Sequence, residues 1–281
     1  MSSNFTVSYS LSRIVSSTGD GNSDQFFAGA TPWDNDDPNR YMGRSNLDHS
    51  NELSFGGSLA IKYGLQVGMI GHFFSAPANA LTLDATSGAT AQIFQTDVDG
   101  DGTTGDLVPG TLPGAYEHQI KGANLNRLIS DYNATNAGQP TPAGTALITA
   151  GLFTQQQLAA LGGVQQAIAP APTNPLNNAA LRTFDMNASY PIHINRVREG
   201  FSIVPGVAVY NLFNMSNFGS IPGILQDGSG ILLNTGDAGQ QGYFNGPNDQ
   251  ATLNQARTVR NSGTFDQGGP RTTEFQLKLN F

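Results

Sequence analysis

Four aspartates between positions 97 and 106 give the sequence its clearest chemical signal. The spacing is that of a calcium loop, with acidic residues at positions 1, 3 and 5 and glycine at position 6. In this chain those positions are filled by Asp97, Asp99, Asp101 and Gly102. A hard cation needs several oxygen ligands that converge on one point, and the glycine lets the chain turn back around it. We therefore predict a Ca²⁺ site with the ligands Asp97, Asp99, Asp101 and Asp106.

The calcium pattern is incomplete at its far end. Such loops carry a bidentate glutamate at position 12, where this sequence has Val108, and Asp106 is the predicted substitute. A solvated acidic turn is the alternative interpretation of the same residues. Two other acidic groups lack the spacing and are predicted to be solvated loop residues: Asp20 with Asp24, and Asp34 with Asp36 and Asp37.

Composition excludes several classes of function. The 281 residues include 13 Lys and Arg against 21 Asp and Glu, a net charge of −8. Because phosphate backbones are bound by clustered cations, we expect no nucleic acid partner. The chain has no Cys, which excludes disulfides and thiolate metal sites. It also has no nucleophile-elbow, zinc-protease or phosphate-loop motif, so we predict that it is not an enzyme.

Six stretches alternate apolar and polar residues with a period of two, which predicts strands with one apolar face. The last stretch is the clearest, with Phe275, Leu277, Leu279 and Phe281 on one side. Pro205 weakens the centre of the fifth stretch, because proline is usually confined to edge strands and bulges. The predicted strands span 4–13, 51–62, 65–74, 182–194, 200–213 and 271–281.

The connections between these strands follow a rule. Short turns at 63–64 and 195–199 alternate with long loops at 15–48, 76–180 and 214–269. Short turns at one end and long loops at the other are typical of outer-membrane β-barrels. No run of about 18 apolar residues predicts a membrane-spanning helix. The fold predicted from this pattern is all-β, part of a transmembrane antiparallel barrel with long extracellular loops.

The second long loop is predicted to contain short helices. Residues 123–132 carry apolar side chains at helical spacing, and Thr154 with Gln157 forms a possible capping box before a second helix. That helix is predicted to stop at Gly162-Gly163, and residues 165–180 are rich in Pro, Ala and Asn, which is typical of a linker.

Three segments resemble one family. Residues 210–218 read Y-N-L-F-N-M-S-N-F, similar to the NLFN…NFG segment near the end of TonB-dependent outer-membrane receptors. Residues 268–281, G-G-P-R-T-T-E-F-Q-L-K-L-N-F, resemble the last strand of the Oar-like group of these receptors. Residues 97–110 resemble the acidic loop of that group, with Asp99 and Gly105 replacing its asparagines and Leu107-Val108 replacing its arginine.

The resemblance implies a fold and a function. It identifies the chain as the C-terminal part of the barrel of a TonB-dependent, Oar-like receptor in the cell outer membrane, which takes up a solute with energy supplied through TonB. The implied partners are outer-membrane lipid, the remainder of the barrel and the plug, TonB acting through that plug, and an extracellular solute. The loops at 76–180 and 214–269 are the expected places of solute contact.

Two further expectations follow. Six strands are too few to close a membrane barrel, for which the smallest have about eight, so we expect this chain to need other strands to insert. The first ten residues lack the basic and apolar regions of a secretory signal.

The alternative function is a secreted, calcium-stabilised, β-rich adhesin or surface-binding module. Solubility without detergent distinguishes the two, since only a barrel needs lipid around its apolar face.

Overall fold

A computed structural model describes residues 2–18, 32–45, 47–83, 92–168, 170–171, 178–194, 200–217, 224–225 and 269–281. In these residues the chain is mostly antiparallel β-sheet with few helices. In chain order the strands are β1 (Ser2–Leu11), β2 (Val15–Ser16), β3 (Gly43–Arg44), β4 (Asn51–Ala60), β5 (Gln66–Phe74), β6 (Thr82–Leu83), β7 (Leu181–Ser189), β8 (Ile192–His193), β9 (Ser202–Tyr210), β10 (Ile224–Leu225) and β11 (Thr272–Asn280).

The long strands form one open sheet in the order β1-β4-β5-β7-β9-β11, and every neighbouring pair is antiparallel. β1 and β11 are its edges, and each pairs on one side only within the described residues. The two small sheets, β2 with β3 and β6 with β10, lie outside it. The prediction of an all-β chain is therefore confirmed.

The register of this sheet collects the apolar rows of all six strands on one face. Val7 lies opposite Phe55, Phe55 opposite Gly71, and Gly71 opposite Phe184. At the other edge Val207 lies opposite Phe275. Because side chains alternate along a strand, Ser, Thr, Asn, Gln and charged residues dominate the second face. We call these the apolar face and the polar face.

No described helix or second sheet packs on the apolar face. Phe275 is 84% exposed and Val7 is 70% exposed, and all of β1 is exposed. In the six long strands the only buried residues are Gly71, Ser202 and Ala208. The sheet is therefore held together by its backbone hydrogen bonds and by contacts between neighbouring side chains, without a second layer packed on the apolar face.

The predicted strand 182–194 is interrupted, and its prediction as one continuous strand is wrong. β7 ends at Ser189 and β8 begins at Ile192, yet both pair with β9 in the same register. The break falls at Pro191, which has no N–H to donate to a ladder. Pro205 lies within β9, opposite Leu277, and its carbonyl oxygen accepts the Tyr190 N–H at 3.0 Å.

One of the two predicted short turns lies in the described residues, and it is where the sequence predicts it. The short turn after β4 is a 3₁₀ turn, Lys62–Gly64, in which Tyr63 has a φ of 74° and Gly64 a φ of 93°. The other predicted short turn, 195–199, lies outside the described residues. Because the strands alternate in direction, β1, β5 and β9 point the same way, and the three long connections leave from the same end of the sheet.

The described helices lie in the second long connection. They are the single turn α1 (Ala115–His118), then α2 (Gly122–Thr135), α3 (Pro142–Thr149) and α4 (Gln155–Ala160), and a 3₁₀ turn spans Gln92–Phe94. The predicted capping box is confirmed, since the Gln157 N–H donates to Thr154 Oγ1 and the Thr154 N–H donates to Gln157 Oε1. None of the described helices is long and apolar enough to cross a membrane.

These helices belong to a separate folded unit, which we call the loop body and define as described residues 78–83 and 92–171. Its hydrophobic core has no member from the six long strands. The core residues are Leu81, Leu83, Val108, Tyr116, Leu125, Ile129, Tyr132, Ile168 and Ala171. The long connection is therefore a packed unit and not an irregular loop.

Two asparagines of α2 hold an extended segment beside the helix. The side-chain amide of Asn133 accepts the Ile168 N–H and donates to the Ile168 carbonyl, both at 2.8 Å. Asn126 does the same with Ala171, at 2.6 and 2.8 Å. The segment predicted to be a linker is therefore fixed at these residues. Helix residues seven apart are separated by about 10.5 Å, close to three extended residues, so the two spacings match.

Candidate metal centre

The acidic loop 97–106 is anchored at both ends by the loop body. Before it, the Thr96 N–H donates to the Gln92 carbonyl at 2.8 Å. After it, Asp106 and Val108 pair with the segment 81–83, through Leu83 N–H to Asp106 O and Val108 N–H to Leu81 O. Val108 is fully buried in the core. Backbone hydrogen bonds therefore fix both ends of the loop, and hydrophobic packing of Val108 also holds the second end.

Backbone N–H groups orient two of the carboxylates. Asp97 accepts the N–H of Gly100 at 2.7 Å and the N–H of Gly102 at 3.1 Å. Asp106 Oδ2 accepts the N–H of Val98 at 2.7 Å and that of Asp99 at 3.2 Å. Gly100 and Gly102 have φ values of 88° and 85°, which explains why glycine occupies these turns. Asp97 and Asp106 are both buried.

The four predicted ligands do not converge on a single point. Carboxylate oxygens of Asp97, Asp99 and Asp106 lie within 4.8 Å of one another, and those of Asp34, Asp99 and Asp101 form a second such group. Asp99 belongs to both groups. Asp101 is turned toward the segment around Asp34, where its Oδ2 accepts the Asn35 N–H at 2.6 Å.

Within the described residues, no Lys or Arg forms an ion pair with Asp97, Asp99 or Asp106. Asp99 Oδ2 is buried and makes no hydrogen bond with any described residue. Burial raises the pKa of Asp97 and of Asp99, and it raises the pKa of Asp106 to about 8, with the nearby charge of Asp99 adding to the effect. Carboxylates held this close together retain a proton unless a cation neutralises them.

Asp34 is the residue that sequence reasoning missed. It was predicted to be solvated, but it is 3% exposed and reaches the acidic loop from a segment more than 60 positions earlier. Arg40 donates to Asp34 Oδ2 at 3.0 Å, so this second group already contains a cation. Hydrogen bonds from the Asp37 backbone, the Arg40 side chain and the Asp36 backbone lower the pKa of Asp34 despite burial. In the sequence, the only sign of this role is the close spacing of Asp34, Asp36 and Asp37 next to Trp33.

The neighbouring acids behave differently. Asp36 and Asp37 are exposed, as predicted, and their N–H groups donate to Asp34 Oδ1 at 2.8 Å. Although burial raises it, hydrogen bonds from Thr103 and Asn35 lower the pKa of Asp101 overall. The predicted group of Asp20 and Asp24 lies outside the described residues. The best-suited cation position is therefore the group of Asp97, Asp99 and Asp106.

The oxygen-only composition of this group fits a hard cation. Ca²⁺ takes six to eight oxygen ligands, including carboxylates and backbone carbonyls. Asp99 Oδ2, buried and without a hydrogen-bond partner, is the kind of atom that a bound cation satisfies. Position 12 cannot contribute, because Val108 is packed in the core, and Asp106 supplies the carboxylate nearest to that end.

Comparisons of the chain with known protein families, with curated proteins and with solved structures find no match. The predicted solute-contact loop 214–269 lies almost entirely outside the described residues.

Proposed function

We propose that this chain forms part of the wall of an outer-membrane β-barrel, the C-terminal part of a TonB-dependent, Oar-like receptor that takes up an extracellular solute. The observation that carries the proposal is the apolar face of the six-stranded sheet, on which no described helix or second sheet packs. Its rows run from Phe5 and Val7 at one edge to Phe275 and Leu277 at the other, and these four side chains are between 54% and 84% exposed.

Exposure of this extent suits lipid better than water. Monomeric soluble proteins rarely expose contiguous apolar patches larger than a few hundred Å². In a bilayer the same side chains meet hydrocarbon, and the polar face meets the water of the barrel interior. The backbone hydrogen bonds between strands remain satisfied in both environments, which is what a membrane-spanning sheet requires.

The connections support the same proposal. Three long connections leave one end of the sheet, and the tight turn Lys62–Gly64 lies at the other. Outer-membrane barrels have long loops outside the cell and short turns on the periplasmic side. In this orientation the loop body stands at the outer mouth of the barrel, where a solute first arrives.

The two free edges define the partners. Each unpaired N–H or C=O group costs roughly several kcal/mol in hydrocarbon. Because β1 and β11 carry such groups, they pair with the remaining strands of the barrel. The plug is supplied from outside these strands, and TonB acts on the receptor through it. The chain therefore contributes wall and loops, and it is not an enzyme.

Fluorescence quenching tests the proposal. In a Trp33→Phe background, single tryptophans are placed at Val7 and Leu277 on the apolar face and at Ser8 and Gln276 on the polar face. The full chain is then folded in micelles that contain brominated detergent. We expect strong quenching at the first two positions and weak quenching at their neighbours, because bromine atoms are confined to the apolar phase.

Equal quenching of both faces would contradict the membrane proposal. A full chain that is soluble, monomeric and cooperatively folded without detergent would also contradict it, and would favour the secreted calcium-stabilised adhesin or surface-binding module. That alternative requires another protein layer over the apolar face, and the same tryptophans would then be shielded from brominated detergent.

We propose in addition that the acidic loop binds Ca²⁺ through Asp97, Asp99 and Asp106, with Asp101 linking the site to the segment of Asp34. Its support is twofold: Asp99 Oδ2 is buried and lacks a hydrogen-bond partner among the described residues, and carboxylate oxygens of Asp97, Asp99 and Asp106 lie within 4.8 Å of one another. Such a cation would neutralise the group and tie two distant segments of the chain together.

Protection from proteolysis tests the calcium proposal. The full chain is digested in chelator and in millimolar Ca²⁺, with and without the substitution Asp99→Asn. We expect Ca²⁺ to slow cleavage of the loop body in the wild type and to have little effect in Asp99→Asn. Asp131→Asn is the matched control, because Asp131 is exposed on α2, outside both acidic groups. Equal protection of Asp99→Asn would overturn the site.

A further inference from the structure

A groove with a volume of about 460 Å³ lies on the polar face of the sheet. Small residues form its floor, notably Gly68 of β5 and Ala208 of β9. Ala208 is 6% exposed, and a Cβ atom at Gly68 would lie 2.6 Å from Asn187 Oδ1. The glycine therefore lets the Asn187 side chain lean across the neighbouring strand and bound the groove. The volume falls within the range of about 300–1,000 Å³ that is usual for small-molecule sites.

Neutral polar side chains form much of the wall of this groove. They belong to Ser58, Gln66, Asn187 and Ser189, and none of the four makes a side-chain hydrogen bond with a described residue. Each hydroxyl or amide can both donate and accept a hydrogen bond. The wall therefore presents unused donors and acceptors to whatever enters.

The charge of the groove is acidic and small. Among the described lining residues, Asp185 is the only ionisable acid or base apart from the Tyr210 phenol, and one of its oxygens already accepts the Asn211 N–H at 2.7 Å. The Tyr210 hydroxyl donates to Glu274 at 3.3 Å, and Gln276 also donates to Glu274. With Asp185 and Glu274 nearby and no Lys, Arg or His among the described lining residues, the groove repels anions.

We infer that this groove binds a neutral, polyhydroxylated solute of the saccharide class. Vicinal hydroxyl groups donate and accept hydrogen bonds at close spacing, which matches the free amides and hydroxyls of the wall. The inference rests on the proposed barrel function, because the polar face lines the interior only when the apolar face meets lipid. It names the class of solute that such a barrel would pass.

Binding of maltose to the full chain tests this inference. The chain is folded in a zwitterionic detergent without sugar, and binding is followed by saturation-transfer NMR. We expect saturable maltose binding that Asn187→Ala weakens about tenfold, as loss of roughly one hydrogen bond would. Ala208→Leu, which fills the floor of the groove, should abolish maltose binding. Asn4→Ala is the matched control, since Asn4 lies opposite Ser58 at the end of the same row, outside the groove.

Three outcomes would overturn the inference: no maltose binding by the wild type, equal weakening by Asn4→Ala, or tighter binding of glucose 6-phosphate than of maltose. Quenching by brominated detergent, measured on the same samples, separates the two proposals and reports folding of each variant. If tryptophan at Leu277 is quenched and maltose does not bind, only the saccharide inference fails. If that quenching is absent, the barrel proposal fails, and the saccharide inference that rests on it fails as well.

Discussion

The sheet and the loop body are two folded parts of one chain that place their apolar residues in opposite ways. The loop body surrounds Leu81, Tyr116 and Leu125 so completely that none of them is exposed. The sheet leaves Phe275 84% exposed and Val7 70% exposed. The loop body therefore buries its own apolar side chains, whereas the sheet leaves those of its two edge strands exposed.

A polar junction joins these two parts. Asp48 is fully buried next to β4 and accepts hydrogen bonds from Arg44 and from the Ile14 N–H. Arg44 in turn donates its backbone N–H to the Pro113 carbonyl at 2.9 Å. Gly114, with a φ of 68°, lies so close that a Cβ atom there would meet the Arg44 carbonyl at 2.4 Å. The loop body is thereby fixed to the end of the sheet from which the long connections leave.

The largest difference should come from truncating the core of the loop body. Leu125→Ala removes a fully buried side chain and should destabilise the loop body by about 2–5 kcal/mol. Leu279→Ala, on the apolar face, should change the stability of the sheet much less in detergent. Hydrogen exchange in α2 and in β11 measures the two effects separately. Equal loss of protection in both elements would mean that the two parts unfold as one.

A charge on the apolar face should act mainly on the sheet. Leu277→Arg should destabilise the lipid-embedded sheet by about 2–4 kcal/mol, and Gln276→Arg, one residue away on the polar face, should be nearly neutral. Urea unfolding in lipid vesicles gives both values. If Leu277→Arg leaves the stability of the sheet unchanged, the apolar face is not in contact with lipid.

Loss of one asparagine amide should weaken the loop body alone. Asn133→Ala leaves the Ile168 N–H and carbonyl without partners and should destabilise the segment by about 1–3 kcal/mol. The matched control is Asn124→Ala, exposed on the same helix. Proteolysis near residue 168 should accelerate in the first variant only, with β5 and β7 unchanged.

The pH dependence of the loop body in chelator should show the uncompensated carboxylates. The pKa of Asp106 is raised from 3.8 to about 8, so the folded state binds this proton more tightly than the unfolded chain does. Stability from this group is full below pH 3.8 and is lost as the pH rises toward 8. Burial lowers the pKa of His118, which acts in the opposite sense at lower pH.

The pH interval from about 6.5 to 8.5 therefore isolates the acidic group. Thermal melting of the loop body should fall with rising pH there, and Ca²⁺ or Asp106→Asn should flatten the slope. If the wild-type melting temperature in chelator does not change with pH, another group of the folded chain already neutralises the carboxylates of the acidic loop.

The smallest effect is expected at the turn between β4 and β5. Tyr63 is 81% exposed and has a φ of 74°, a left-handed conformation that costs an L-residue roughly 1–2 kcal/mol. Tyr63→Gly should stabilise the sheet by up to about 1 kcal/mol and leave the loop body unchanged. Destabilisation would show that the stacking of Lys62 on the Tyr63 ring, at 5.5 Å, outweighs the strain.

Local patterns accounted for most of the sheet. Period-two alternation located all six long strands, and it failed at Pro191, where a missing N–H interrupts the ladder. The Thr154 capping box also followed from sequence. Helix α3 was not predicted, although Thr141 and Pro142 provide an N-cap and a proline at the first turn. The signal was present, but the helix is short and weakly amphipathic.

The candidate site was only partly predictable. The spacing of Asp97, Asp99 and Asp106 is local, so the sequence could indicate a cation loop. The exclusion of Val108 from that site follows from its burial in the core. The asparagine contacts of α2 with residues 168 and 171 link positions 35 and 45 apart, and no periodicity marks them.

The sequence by itself determined which residues form the apolar face of each strand, because alternation along a strand is a property of the extended backbone. It also determined the acidic spacing of the loop. Only the tertiary structure decided that the loop body has its own core, that Asp34 meets Asp99, and that Asn187 leans over Gly68. Each of these depends on the distance between segments far apart in the chain, which packing and strand register set.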